Sequence, residues 1–151
     1  MSSETLYKNE KECKAVIAQE EEKQKEHLQN IYRILYIAGM STLKPVQFIG
    51  SSLDDLRDFP LTAKREAGHQ IDQVQKGLEP DDWKPMNTVG QGVKEIRVRD
   101  ASGAFRVIYV AKFADAIYVL HCFQKKTEKT SRADLDLASK RYHDLLQELK
   151  P

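Results

Sequence analysis

Cysteine is almost absent from this 151-residue chain: Cys13 and Cys122 stand far apart, and neither belongs to a CxxC or Cys/His pattern. That excludes a disulfide framework and a thiolate-built zinc site. No apolar run approaches the roughly 18 residues needed to cross a bilayer. The N-terminus opens on Ser, Glu and Lys rather than on an apolar signal segment. A reduced, cytoplasmic protein with no membrane association is therefore expected. Net charge is also lacking, because 24 Lys+Arg against 23 Asp+Glu leave +1. Such a balance excludes a generally basic nucleic-acid binder, so any site of that kind must be a local patch.

What is present suffices for one core. Hydrophobic residues at 40% and charged residues at 31% argue against disorder throughout, and the length suits one domain plus an appendage. Residues 5–38 hold neither proline nor glycine and are rich in Glu, Lys, Gln, Ala and Leu, which predicts a long helix. Its apolar residues are sparse (Val16, Ile17, Leu28) until Ile31, Tyr32, Ile34, Leu35, Tyr36 and Ile37 cluster. The first half reads as a solvated charged rod, and only the second half as able to dock. A dispensable extension and an oligomerisation or partner-binding helix both fit. Gly39-Met40-Ser41-Thr42 reads as a break, dividing a helical extension (1–39) from a domain (40–151).

Within that domain, Pro45-Val-Gln-Phe-Ile49 suits an edge strand, since proline has no amide proton to donate. Ser51-Ser52 before Leu53, Asp54 and Asp55 predicts a capped short helix running to Phe59. Pro60 then opens a second helix, with Leu61, Ala67, Ile71, Val74 and Leu78 on one face and Gly77 and Pro80 ending it. Residues 79–92 are rich in turn formers and predict a loop, its lone Trp83 lying over the core rather than serving as a base-stacking platform. Three strands follow: Lys94–Arg99, Phe105–Phe113 and Ile117–Thr127. Ser131, with Asp134 three residues on, caps a last helix whose buried stripe is Leu135, Ala138, Tyr142, Leu145 and Leu149. The fold class is α+β, with a small sheet, a two-helix hairpin and a C-terminal helix packed on it, and an N-terminal helical extension.

Hairpin arithmetic places the cations. If Arg99 and Ala104 flank the first hairpin loop, Arg97 faces Arg106, while Ile96, Val98, Phe105 and Val107 fall on the opposite sheet face, against the helices. If Phe113 and Ala116 flank a tight second turn, Arg106 faces Phe123 and Ile108 faces His121. Lys125 shares the face of Phe123, and Lys126, Thr127 and Lys129 form a rim. Like charges directly opposite one another cost about 0.2–1 kcal/mol, so the arginine pair asks either for an anion or for pairing with Glu95, Asp54 or Asp55. Phe123 adds a stacking surface suited to an unpaired base. His121 reads as a satisfied, half-buried histidine, although its chemistry also suits acid–base work. His69 and His143 read as solvent-facing, and Tyr109 as packing.

Several of these motifs are recognisable. Glu-Ile-Arg97, Gly103-Ala-Phe-Arg106-Val-Ile-Tyr109 and Leu120-His-Cys-Phe-Gln-Lys-Lys-Thr-Glu-Lys-Thr130, followed by the Ser131-capped helix with Ala138 and Arg141, resemble the phage-derived, HigB-like branch of the RelE/ParE toxin superfamily. The resemblance covers residues 44–149, its most specific element being the Phe-x-Lys-Lys-Thr-x-Lys-Thr run, and leaves residues 1–39 outside. It implies a small antiparallel or mixed RelE-like sheet. It also implies a toxin of a type II toxin–antitoxin system that cuts mRNA in the ribosomal A site without a metal or other cofactor. A cognate antitoxin is the implied protein partner, and operator DNA is reached only through the antitoxin complex. By this resemblance Arg97 and Arg106 hold the scissile phosphate, and Lys125 or Lys126 stabilises charge or donates the proton. Phe123, Lys94, Thr127, Lys129 and His121 contact RNA. Tyr142 and His143 are weaker acid–base candidates. A ParE-like inhibitor of DNA gyrase is the alternative from another class, and an inactive or autoinhibited homologue, with residues 1–39 across the groove, is a third.

Overall fold

A computed structural model describes residues 10–40 and 43–151, except for the side chains of Glu10 and Tyr32. In chain order the elements are α1 (Glu10–Ile37), β1 (Val46–Phe48), α2 (Ser52–Arg57), α3 (Leu61–Gln75), β2 (Trp83–Pro85), β3 (Val93–Asp100), β4 (Gly103–Val110), β5 (Ile117–Lys125) and α4 (Arg132–Glu148). Residues 5–9 of the expected first helix, and Ser41 and Thr42 of the expected break, lie outside the described residues. The five strands form one mixed sheet in the order β1-β5-β4-β3-β2, with β1 parallel to β5 and the other pairs antiparallel. This is the α+β arrangement that the sequence predicts.

Two apolar layers sandwich the sheet. On one face Ile96, Val98, Phe105, Val107, Tyr109, Val119 and Cys122 meet Leu56 of α2, Phe59 just after it, and Ala63, Ala67, Ile71 and Val74 of α3. The rings of Phe59 and Phe105 lie 4.8 Å apart, and burying each large apolar side chain here stabilises by about 1.5–3 kcal/mol. On the other face Ile108, Val110, Tyr118 and Leu120 meet Ala138, Tyr142 and Leu145 of α4. Alternation along each strand separates the two sets. Gly90 permits the closest approach, since a Cβ there would stand 2.0 Å from the Tyr142 ring, whose hydroxyl donates to the Gln91 carbonyl at 2.9 Å.

Several expectations need correction. Trp83–Pro85, expected within a loop, pairs with β3 as an edge strand; its end at Pro85 suits an edge. Leu61 and Leu78 lie outside the buried stripe of α3 at 59% and 54% exposure. Gln70 is buried in that helix instead, its amide donating to Glu66 and Asp81 and its carbonyl accepting from the Asp81 amide. Ser51 makes no side-chain cap; it donates to Asp55 and accepts from Arg141. Ser131 does cap α4, accepting from the Asp134 amide. In the second half of α1, Ile34 and Ile37 remain more than 60% exposed, while the partly buried Tyr36 lines a cavity with Val74, Tyr109 and Ala111. The helix also meets the domain through ion pairs, Glu22 with Arg57 at 3.4 Å and Arg33 with Asp115 at 3.1 Å. Among the described residues no helix is long and apolar enough to cross a membrane.

Candidate functional site

The β3–β4 register places Arg97 opposite Arg106, and the β4–β5 register places Arg106 opposite Phe123 and Ile108 opposite His121, as hairpin arithmetic predicts. The route to the second pairing differs. No tight turn joins β4 to β5: residues 111–116 connect them, Val110 pairs with Tyr118 and Tyr109 with Val119. Leu120 is then the extra residue of a β-bulge, which shifts the register by one before Ile108 meets His121. The bulge also lets Leu120 and His121 both address α4.

On this face the side chains form three cross-strand rows. Arg99, Ala104 and Lys125 make the outermost, Arg97, Arg106 and Phe123 the middle one, and Lys84, Glu95, Ile108 and His121 the innermost. Sequence pattern alone does not bring Lys84 to the site, because residues 79–92 have the composition of a loop. With β2 recognised, the alternation that sends Trp83 to the side of Ile96 sends Lys84 to the side of Glu95. Glu95 is the acid paired with Arg106, rather than Asp54 or Asp55. Its Oε1 lies 3.4 Å from Arg106 Nε and 3.8 Å from Lys84 Nζ.

Arg106 and Glu95 are sealed from solvent, and Arg106 Nη1 donates to its own neighbour's carbonyl, Phe105 O, at 3.0 Å. Burial lowers the Arg106 pKa, with Arg97 and Arg99 adding to the effect against the pull of Glu95; a guanidinium stays charged even so. Arg97 is half-buried, its Nη1 3.9 Å from the exposed Asp82. Lys125, also half-buried, has its pKa lowered by partial desolvation and by Arg106, Lys84 and Arg97, opposed by Glu95. Both oxygens of Glu95 and the Nε atoms of Arg97 and Arg106 have no hydrogen-bond partner among the described residues. Buried polar atoms without hydrogen bonds are rare in native proteins, and here Glu95 Oε1 and Arg106 Nε meet each other only as an ion pair.

The remaining expected site residues divide. Phe123 is 8% exposed and stacks on His121 at 4.8 Å, so it walls the cluster and leaves little ring for a base. His121 is buried, its Nε2 2.7 Å from Asp134 Oδ1, while Ser131 donates to the other oxygen of that carboxylate. This ties β5 to the first turn of α4 and places the histidine behind the site. Lys126, Thr127 and Lys129 are exposed in the segment after β5, where the Thr127 hydroxyl donates to the Lys129 carbonyl. Lys94 lies on the opposite sheet face, 2.9 Å from Glu79 and 4.4 Å from the Trp83 ring centroid. Parity explains this, since Lys94 shares the side of Ile96. Tyr109 is buried on that face too, while His69 and His143 are exposed. Among the described residues no group of three or more His, Cys, Asp or Glu side chains is placed to hold a metal ion.

The cluster therefore offers partly exposed cations over a buried, neutralised Glu95–Arg106 pair, a surface suited to a phosphodiester. The family model described as Phage derived protein Gp49-like (DUF891) matches residues 54–143, more than half of the chain, from α2 through most of α4. α1 and β1 fall outside the match. No curated protein matches the chain.

Proposed function

Because the chain belongs to the phage-derived Gp49-like family, a family of RelE-like toxins of toxin–antitoxin systems with a cognate antitoxin as partner, we propose that it is a ribosome-dependent mRNA endoribonuclease. The observation that carries this reading is the grouping of Arg97, Arg106, Lys125 and Lys84 on one sheet face, with Phe123 opposite Arg106. A phosphodiester in RNA carries its own nucleophile, the adjacent 2′-hydroxyl. Attack forms the O2′–P bond and breaks the P–O5′ bond. The protein has to orient the two and stabilise charge on the pentavalent phosphorus and the leaving oxygen.

In this mechanism Arg97 and Lys84, whose heads reach solvent, grip the phosphate oxygens. Arg106, paired with Glu95, forms the floor beneath them. Lys125, made more acidic by partial desolvation and by its cationic neighbours, donates a proton to the departing 5′-oxygen, and the 2′-hydroxyl proton passes to solvent. Lys126, Thr127 and Lys129 carry the flanking backbone. The ion pairs of Glu22 with Arg57 and of Arg33 with Asp115 hold α1 away from the cation rows, which supports an uncovered site over an autoinhibited one. The test is incubation of purified protein with ribosomes programmed by a defined message. Cleavage lost on replacing Arg97 and Lys125 together supports the reading; intact message with the native protein rejects it.

A further inference from the structure

We infer that Glu95 is the positioning residue of this site: from β3, which lies between β4 and β2, its buried carboxylate draws Arg106 of β4 and Lys84 of β2 toward one point and so fixes both cations under the bound phosphate. The inference rests on the ribonuclease reading and extends it.

Lys84 is the direct cross-strand neighbour of Glu95, and Ile108 is its neighbour on the other side. Arg106, two residues from Ile108, reaches Glu95 only along a diagonal, a separation of about 7–8 Å between backbones that a long side chain can span. Its directly facing neighbour is Arg97, which repels it. The guanidinium turns instead to Glu95, with Nε 3.4 Å from Oε1, and Lys84 Nζ approaches the same oxygen at 3.8 Å. One carboxylate oxygen therefore sets the separation of two cations that come from different strands.

Stability alone does not explain a carboxylate in this place. It is fully shielded from solvent, and neither of its oxygens accepts a hydrogen bond from a described residue. A buried charge so poorly satisfied is generally no more stabilising than an apolar side chain of the same shape. Nor can a side chain with no exposure touch substrate, so its action runs through Arg106 and Lys84. An anion beneath a phosphate weakens phosphate binding, whereas cations held at a fixed spacing lower the barrier to reaction. Binding and rate should therefore respond in opposite directions when the charge is removed.

The experiment compares native protein, Glu95→Gln and Glu95→Asp in two assays. One is single-turnover cleavage of message on programmed ribosomes, and the other is affinity for the same complex carrying a 2′-deoxy nucleotide at the cut position, which cannot react. Glu95→Gln should cleave about ten-fold more slowly, as misplaced groups do, yet bind about two- to five-fold more tightly, as loss of a nearby negative charge dictates. Glu95→Asp keeps the charge on a shorter stem, so it should slow cleavage while binding like the native protein. A native cleavage rate in Glu95→Gln overturns the inference, as does a parallel fall of rate and affinity that follows the folded fraction. If Glu95→Gln does not fold, Glu95→Asp decides, and a native rate in it overturns the inference. Native protein that leaves the message intact overturns the ribonuclease reading and the inference with it, an outcome distinct from cleavage that is indifferent to Glu95.

Discussion

Glu95 Oε1 lies 3.4 Å from Arg106 Nε, and the two side chains are 0% and 1% exposed. The innermost charges of the cluster therefore balance one another. Arg97, Arg99, Lys84 and Lys125 on the same face reach solvent and can meet an incoming anion.

Truncating one member of that pair strands the other. Arg106→Ala should destabilise the domain by about 3–5 kcal/mol, the cost of leaving an uncompensated buried charge. Adding Glu95→Ala to it should recover part of the loss. Urea unfolding followed by circular dichroism measures both, and an Arg106→Ala variant as stable as the native protein would contradict the pairing.

The pH profile of cleavage reports on Lys125. Its pKa lies below the ordinary lysine value of 10.5, so the proton-donating form is lost as pH rises through that lowered value. The rate should fall along an alkaline limb that begins below the usual lysine range. Arg97→Gln removes a neighbouring cation and should move the limb up, while Glu95→Gln removes an anion and should move it down. A limb unchanged by both substitutions would remove Lys125 from the mechanism.

His121 is expected to act on the fold rather than on RNA. Asp134→Ala breaks its 2.7 Å contact with His121 and the link to Ser131. We expect a loss of about 1–3 kcal/mol, the cost of leaving a buried polar group without its partner. Ser131→Ala should cost about 1 kcal/mol as a lost helix cap. In His121→Gln, affinity for uncleavable RNA should stay native while the urea midpoint falls. A large loss of affinity with native stability would instead place His121 in the RNA site.

Residues 1–39 should be dispensable for cleavage. The ion pairs of α1 with Arg57 and Asp115 are partly exposed, and such pairs contribute about 0–1 kcal/mol each. A chain starting at Met40 should fold and cleave at the native rate. Cleavage that rises sharply on truncation would show that the extension restrains the site.

The sequence carried the site as far as strand parity reached. Parity alone put Arg97 against Arg106 and would also have sent Lys94 to the far face with Ile96. The pairing of Arg106 with Phe123 was legible even though the turn after β4 was not: the longer connection and the Leu120 bulge differ from a tight turn in compensating ways. β2 is hidden because Asp81-Asp82-Trp83-Lys84-Pro85 has the composition of a turn, and only its pairing with Lys94, Glu95 and Ile96 of β3 makes it a strand. Lys84 was hidden with it. Glu95 could be named as a counter-ion but not chosen over Asp54 or Asp55, because that choice depends on which element covers which face.

The central claim is best tested by incubating purified native protein with translating ribosomes on a defined message, and mapping new 5′ ends and their chemistry. Attack by the 2′-hydroxyl predicts cuts that leave a 5′-hydroxyl and a cyclic 2′,3′-phosphate, abolished by a single 2′-deoxy substitution at the cut nucleotide. Intact message, with gyrase supercoiling arrested by the same preparation, would contradict the account and point to an inhibitor that binds without cutting.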